Sequence, residues 1–259
     1  MIALSFGFPA LEAELWKLLF VMTRIGAALL AAPLFGAAAV PMQLRVAVSA
    51  AISVLVCAWI PVTVPAALLS LDGLLAMAGE VLAGLALGFV LQLSFAAPVI
   101  AAEQIGGAMG MSIAASADPV SGAHSPVIGQ YFSVLLAVIF LGLGGHLQWF
   151  ALVVDSYTAL PPGTWLGTER IADLLGFTGT MFTAAVAIAL PVTLVLLLVQ
   201  VLTGVVSRSA PALNLFALGL PAGVLAGLAA LIAAAPLAAE QFADLSALAV
   251  SQAAALVVR

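Results

Sequence analysis

Charged side chains are rare in this chain, so those that lie within or beside apolar runs are the first candidates for chemistry. Eleven acidic and six basic residues occur among 259, and Arg24, Arg45, Glu80 and Glu103 stand in or next to long uncharged stretches. A charge at membrane depth is costly unless it pairs or faces protein or water. We therefore predict four buried charges, with either arginine paired to Glu80, to Glu103 or to a partner subunit.

The densest group of unusual residues is the stretch 103–125, EQIGGAMGMSIAASADPVSGAHS. It is too polar and too rich in glycine for an ordinary membrane span, and too apolar for an ordinary water-exposed loop. Irregular backbone at membrane depth is tolerated only where protein buries it or where it lines a cavity. The sequence therefore predicts that this stretch lines or closes a path through a membrane assembly.

The acids and methionines of this stretch each allow two interpretations. Glu103 and Asp118 suit either a proton- or cation-responsive site, or the end of a helix and a turn before Pro119, and the second role is favoured. Met109 and Met111 stand beside glycines. They suit either plain packing or a pliable constriction that seals a narrow pore.

The sequence contains no pattern typical of an enzyme or of a metal site. The GxSxG, HExxH and Walker A motifs are absent, and one cysteine and two histidines show no ligand spacing. We expect His146 to bond a backbone carbonyl rather than to relay a proton. The net charge of −5 provides no basic face for nucleic acid. We predict neither catalysis, nor a cofactor, nor an ATP-driven pump.

Composition places these residues in an integral membrane protein. Hydrophobic residues make up 65% of the chain and charged ones 7%, with a mean hydropathy of +1.32. Soluble domains average about 25% charged residues. The apolar residues form long continuous runs rather than alternating ones, which indicates helices and not a barrel. We predict an all-α membrane protein of about six long hydrophobic helices in a 4 + 2 arrangement.

The expected spans follow from the apolar runs and from the proline, glycine and charged residues between them. They cover residues 15–32, 46–60, 74–100, 127–154, 179–206 and 215–235. The polar linker 155–173 separates a portion at 1–154 from a hairpin at 174–239. A tail at 240–259 has an amphipathic pattern typical of the membrane interface. The small basic bias favours an outside N-terminus.

Glycines spaced four apart indicate close helix contacts within this arrangement. Gly84 and Gly88 form such a face in the third span, and Gly219, Gly223 and Gly227 form another in the sixth. Small residues at this spacing let helix backbones approach one another in membranes. We predict that these five glycines pack against neighbouring helices.

Four blocks of the sequence resemble, in order, the family of the flagellar biosynthetic protein FliR. They are 24–45 (RIGAALLAAPLFGAAAVPMQLR), 79–88 (GEVLAGLALG), 103–119 with the following VIFLGLGGHLQWF and DSYTALPPG, and 209–221 (SAPALNLFALGLP). The ordered set covers nearly the whole chain. The resemblance implies a subunit of the export gate of a flagellar type III secretion system.

The resemblance also implies partners and a location. Members of the family assemble with several FliP and FliQ subunits, with FlhB packed outside, in the inner membrane at the flagellar basal body. Unfolded flagellar proteins are the cargo. By this resemblance, residues 1–154 are similar to FliP and residues 174–239 to FliQ, and one chain completes a helical ring that rises above the bilayer plane.

The resemblance further assigns a channel plug to the loop within residues 103–125. The positions that carry this role are Gly106, Gly107, Met109, Gly110, Met111 and Ile113. Injectisome export-gate subunits share the pattern, so an injectisome subunit is the alternative. A secondary transporter of a small solute is a further alternative, although such transporters usually have two matching halves and this chain has a 4 + 2 split.

Overall fold

The described part of the chain is helical. The computed structural model describes residues 9–65, 68–111, 126–209 and 215–258, and within these ranges it contains seven α-helices and no strand. The helices are α1 (Pro9–Ala31), α2 (Met42–Trp59), α3 (Leu71–Ala108), α4 (Pro126–Gly142), α5 (Gly145–Ala159), α6 (Thr168–Ser209) and α7 (Leu215–Val258). The predicted all-α fold is confirmed.

Four of the described helices are long and apolar enough to cross a membrane, namely α2, α3, α6 and the part of α7 from Gly219 to Val257. Helices α4 and α5 make a fifth candidate if the bent pair counts as one span. Helix α1 contains Glu12, Glu14, Lys17 and Arg24 within its 23 residues, which makes it more charged than the other helices. The chain is a multi-pass membrane protein, and its described residues contain four or five candidate spans where the sequence predicted six.

Three helices run well past the predicted spans. Helix α3 continues to Ala108 instead of ending near residue 100, and α6 and α7 contain 42 and 44 residues. At 1.5 Å per residue, α6 and α7 are each about 60 Å long, which is twice the thickness of the hydrocarbon core. Residues 240–258 of the predicted tail form the last part of α7.

A glycine in the left-handed region separates α4 from α5. Gly144 has a φ of 72°. A residue with a Cβ atom adopts this conformation only at a cost of about 1–2 kcal/mol. The continuous span predicted over 127–154 is therefore broken between Gly142 and Gly145.

The chain comprises two compact units, and each has its own core. The first contains Met1–Leu93, Gly144–Thr178 and Ala247–Arg259, and the second contains Ser94–Leu143 and Gly179–Ser246. The first core includes Phe20, Ile25, Leu87 and Trp149, and the second includes Phe95, Ile105, Phe140, Leu196 and Phe242. The boundaries between the units lie within α3, α6 and α7 and between α4 and α5.

Gly84 and Gly88 bring the backbone of α3 against α1 in the first unit. A methyl group at Gly84 would overlap the carbonyl oxygen of Arg24. One at Gly88 would lie 2.5 Å from the carbonyl oxygen of Ala28 and 2.6 Å from the Cβ of Ala31. Any side chain at either position would therefore push the two helices apart.

This contact predicts that Gly84→Ala destabilises the protein. Overpacking costs about 1–3 kcal/mol and outweighs the helix propensity gained by removing a glycine. The matched control is Gly176→Ala in α6, where an added Cβ meets no atom within 4 Å. Unfolding of the purified protein in detergent should show a lower stability for Gly84→Ala and an equal or higher stability for Gly176→Ala. Equal stabilities would contradict the close contact.

Candidate functional site

Arg24 and Glu80 form a salt bridge in the interior of the first unit. The Nε of Arg24 lies 2.9 Å from Oε2 of Glu80, and its Nη2 lies 2.8 Å from Oε1. Both side chains are fully buried. Two parallel hydrogen bonds of this kind are the strongest form of the interaction, because they match the planar guanidinium to the planar carboxylate.

The remaining N–H groups of Arg24 are also bonded. Nη1 donates to the carbonyl oxygen and the Oγ of Ser156 at 2.8 and 3.1 Å, and Nη2 donates to the carbonyl oxygen of Leu160 at 3.0 Å. The guanidinium carbon lies 4.3 Å from the ring centre of Tyr157, whose hydroxyl donates to the carbonyl of Val21. All five donors of the guanidinium thus have acceptors, as a stable buried arginine requires.

The same ion pair holds the connection between α5 and α6. Leu160 accepts from Arg24, and the N–H of Gly163 donates to Oε1 of Glu80 at 3.2 Å. Gly163 has a φ of 84°, so a glycine suits the turn. The polar linker predicted at 155–173 is helical at both ends, and its middle is bonded to the buried pair of Arg24 and Glu80.

The other two predicted buried charges lie in different surroundings. Arg45 donates from Nη2 to the carbonyl oxygens of Gly36 and Ala37, so it stabilises the turn between α1 and α2. Glu103 is exposed on the surface of α3, and the prediction that it is buried is wrong. Residues 101, 102, 105 and 106 on the same helix are buried, which leaves Glu103 on the outward face.

In the second unit, Met109 lies directly after α3 and packs against α7. Its side chain is 3% exposed. A Cβ added at Gly227 would lie 2.5 Å from the Cγ of Met109 and 2.8 Å from both its Sδ and its Cε. A Cβ added at Gly223 would lie 3.2 Å from the carbonyl oxygen of Met109. The methionine side chain therefore fills a notch that exists because residue 227 is glycine, and Gly223 leaves room for its carbonyl oxygen.

The end of α3 is held by further hydrogen bonds. The N–H of Met109 donates to Ile105 at 2.9 Å, and the N–H of Gly110 donates to Gly107 at 3.0 Å. The carbonyl oxygen of Ala108 accepts from the Nε2 of Gln200 on α6 at 2.7 Å. Gly110 has a φ of 84°, a conformation that favours glycine and ends the helix.

The residues predicted to form a plug fall into three groups. Gly106 and Gly107 form the last turn of α3, and Met109, Gly110 and Met111 follow it. Ile113 lies outside the described residues, as does the rest of 112–125, including Asp118 and His124. Of the predicted glycine face on α7, Gly223 and Gly227 are buried and Gly219 is half-buried.

Sequence reasoning missed Ser156, Tyr157 and Gln200. Gln200 is the only amide side chain between residues 179 and 206, and a lone polar residue in an apolar run is a signal of a buried or membrane-facing bond. The Nδ1 of His146 is buried and has no hydrogen-bond partner among the described residues, so the expected bond to a carbonyl is not made by that atom. The described residues contain no cluster that suits a metal ion.

The family model for bacterial export proteins, family 1, matches residues 15–249. The chain belongs to this family. It is 31% identical over 231 residues to the flagellar biosynthetic protein FliR of Escherichia coli (strain K12), covering 88% of this chain and 86% of that protein. It is 31% identical over 210 residues to FliR of Bacillus subtilis (strain 168), covering 78% and 80%.

A third relative belongs to a different system. The surface presentation of antigens protein SpaR of Shigella flexneri is 34% identical over 141 residues, which cover 54% of this chain and 55% of that protein. The family predicted from the four sequence blocks is confirmed. The chain is therefore a membrane protein of a bacterial export family, which is not a family of enzymes.

The buried ion pair predicts an asymmetric mutational response. Glu80→Ala leaves the Arg24 charge buried without its partner and should lower the stability by about 3–5 kcal/mol. Replacing both residues, by Arg24→Met with Glu80→Leu, removes the unpaired charge and should cost less than Glu80→Ala alone. The control is Glu103→Ala on the exposed face of α3, which should change little. The stability of all three variants is measured by unfolding the purified proteins in detergent. A double variant that is less stable than Glu80→Ala would contradict the role of the pair.

Proposed function

We propose that this protein is a subunit of the export gate of a flagellar type III secretion system, in the bacterial inner membrane at the flagellar basal body. The gate passes unfolded flagellar proteins, and this chain forms part of its channel and plug. The observation that carries the proposal is the match to the export family over residues 15–249, together with flagellar relatives that align over most of both chains.

An injectisome export gate is the second candidate, and the extent of the alignments favours the flagellar one. The alignment with SpaR covers 54% of this chain, whereas that with FliR of Escherichia coli covers 88%. Restored motility of a flagellated host that lacks its own FliR would support the flagellar assignment. If the chain instead restores secretion by an injectisome and does not restore motility, the injectisome assignment would be supported.

A small-solute transporter has little support in the geometry. Both oxygens of Glu80 are bonded, to Arg24 and to Gly163, so this buried acid offers no free group to a solute. Two grooves of about 420 and 440 Å³ among the described residues have almost entirely apolar linings. A site for a small polar solute needs several convergent polar groups.

The partners proposed are FliP and FliQ subunits in one hetero-oligomer, with FlhB against its outside. Large apolar side chains are exposed along α6 from Ile171 to Val206. At 1.5 Å per residue this distance is about 50 Å, and lipid tails cover only about 30 Å. Other apolar subunits are therefore needed to cover part of the helix, as expected where residues 174–239 take the place of a FliQ-like hairpin beside a FliP-like portion at 1–154.

The plug is assigned to the stretch that begins at Gly106. The glycines at 106, 107 and 110 and the methionines at 109 and 111 support this assignment, because they combine backbone freedom with deformable apolar side chains. Ile113 belongs to the same stretch. The left-handed φ of Gly110 ends α3 at this point, so the chain is free to turn away from the helix axis.

Cross-linking to a stalled export substrate tests the path of the cargo. In a Cys57→Ser background, single cysteines between residues 106 and 122 should cross-link to a substrate held in the gate by a folded domain. The matched controls are cysteines at Leu194, Leu197 and Leu198 on the exposed face of α6. These cysteines should not cross-link to the substrate. Uniform cross-linking at both sets would show that the substrate does not follow the proposed path.

Removal of part of the plug tests whether this stretch closes the gate. Deleting residues 112–116 leaves Met109 and Gly110 in place and should raise the ion permeability of the resting complex by roughly tenfold, because a shortened plug no longer fills the channel. Ion flux is measured in cells that make the complete complex but no export substrate. Co-purification of the partner subunits controls for assembly, and an assembled, ion-tight deletion variant would refute the plug assignment.

A further inference from the structure

Met109 is placed differently from a residue that lines a channel. Its side chain is 3% exposed and lies against Gly227, and its carbonyl oxygen faces Gly223, one helical turn earlier on α7. The Cγ, Sδ and Cε atoms of Met109 all lie within 2.8 Å of the position that a Cβ at Gly227 would take. The side chain is therefore a knob that fits a hole in α7, and the fit depends on the absence of any side chain at residue 227.

A second contact joins the end of α3 to α6. The last carbonyl groups of a helix have no partner within the helix. The carbonyl of Ala108 is one of these groups, and it accepts from the amide of Gln200 at 2.7 Å. Gln200 is exposed in the apolar run of α6, so its bond to Ala108 lies at the surface of the unit. Ala108 is thus held by a hydrogen bond from α6, and the adjacent Met109 is held by packing against α7.

We propose that Met109 and Gln200 are positioning residues that anchor the end of α3 to α6 and α7 and thereby hold the gate closed. This role narrows the plug assigned above, because Met109 then anchors the plug and does not form part of the constriction itself. The proposal rests on the proposed function, since it assigns the anchor to the root of the plug. Gly110, with its left-handed φ, follows the anchor directly and separates the fixed helix from the chain beyond it.

Shape complementarity makes a reciprocal exchange the decisive test. Gly227→Leu fills the notch and expels Met109, which should raise ion flux through the resting complex by roughly tenfold. Combining it with Met109→Ala moves the knob from the end of α3 to α7, so the packed volume is nearly restored and the flux should return to within about twofold of the parent. A residue that only lined the pore would not be rescued by a larger side chain on α7.

The anchor has a matched control and an independent second variant. Gly204→Leu adds the same side chain to α6 at a glycine with no atom within 4 Å of an added Cβ, and it should stay ion-tight. Gln200→Leu removes the bond to Ala108 without adding volume and should raise the flux. Co-purification with the partner subunits shows that each variant assembles, and if Gly227→Leu fails this check, Gln200→Leu and Met109→Ala decide the question.

The outcomes separate the anchor from the plug. The anchor is overturned if the assembled Gly227→Leu and Gln200→Leu complexes both remain ion-tight, or if Met109→Ala fails to reduce the flux caused by Gly227→Leu. In that case, a deletion of 112–116 that still leaks leaves the plug assignment standing. An ion-tight deletion variant overturns the plug and the anchor together. Leakage from Gly227→Leu, rescued by Met109→Ala and absent from Gly204→Leu, supports the anchor.

Discussion

The buried pair between Arg24 and Glu80 is the constraint on which the first unit depends. A guanidinium in the interior must place five donors, and those of Arg24 find acceptors on α3, on α5 and in the connection to α6. Gly84 follows Glu80 by one turn and lies against the carbonyl of Arg24. One turn of α3 therefore supplies both the carboxylate and the close backbone approach that lets the carboxylate reach its partner.

The second unit uses glycine for a different purpose. Gly84 and Gly88 meet the backbone of a neighbouring helix, whereas Gly223 and Gly227 receive Met109. Apolar side chains gain little by leaving lipid for protein, so contacts within a membrane rely on tight packing and on hydrogen bonds. Met109 in its glycine notch supplies the tight packing. The amide of Gln200, which donates to the carbonyl of Ala108, supplies the hydrogen bond.

The sequence predicted the fold class and the family, because long apolar runs and the order of the sequence blocks are visible in the chain itself. It could not choose between Glu80 and Glu103 as the partner of Arg24, since that choice depends on how α1 and α3 lie against each other. It also ended α3 too early. Gly106 and Gly107 each disfavour a helix by about 1 kcal/mol, yet the buried residues Ile105 and Met109 hold this last turn against the rest of the unit.

The hydrogen bond from Gln200 to Ala108 lies beside a surface of α6 that neighbouring subunits would cover in the proposed assembly. Gln200 lies between Leu197, Leu198, Val201 and Leu202, all of which are exposed on α6. In the proposed assembly, a partner subunit covers these side chains and restrains α6. Because Gln200 bonds the end of α3, any displacement of α6 alters the geometry of that bond. A packed helix is stiff enough to carry such a displacement over one turn, so in the proposed gate subunit assembly and closure would act on the same hydrogen bond.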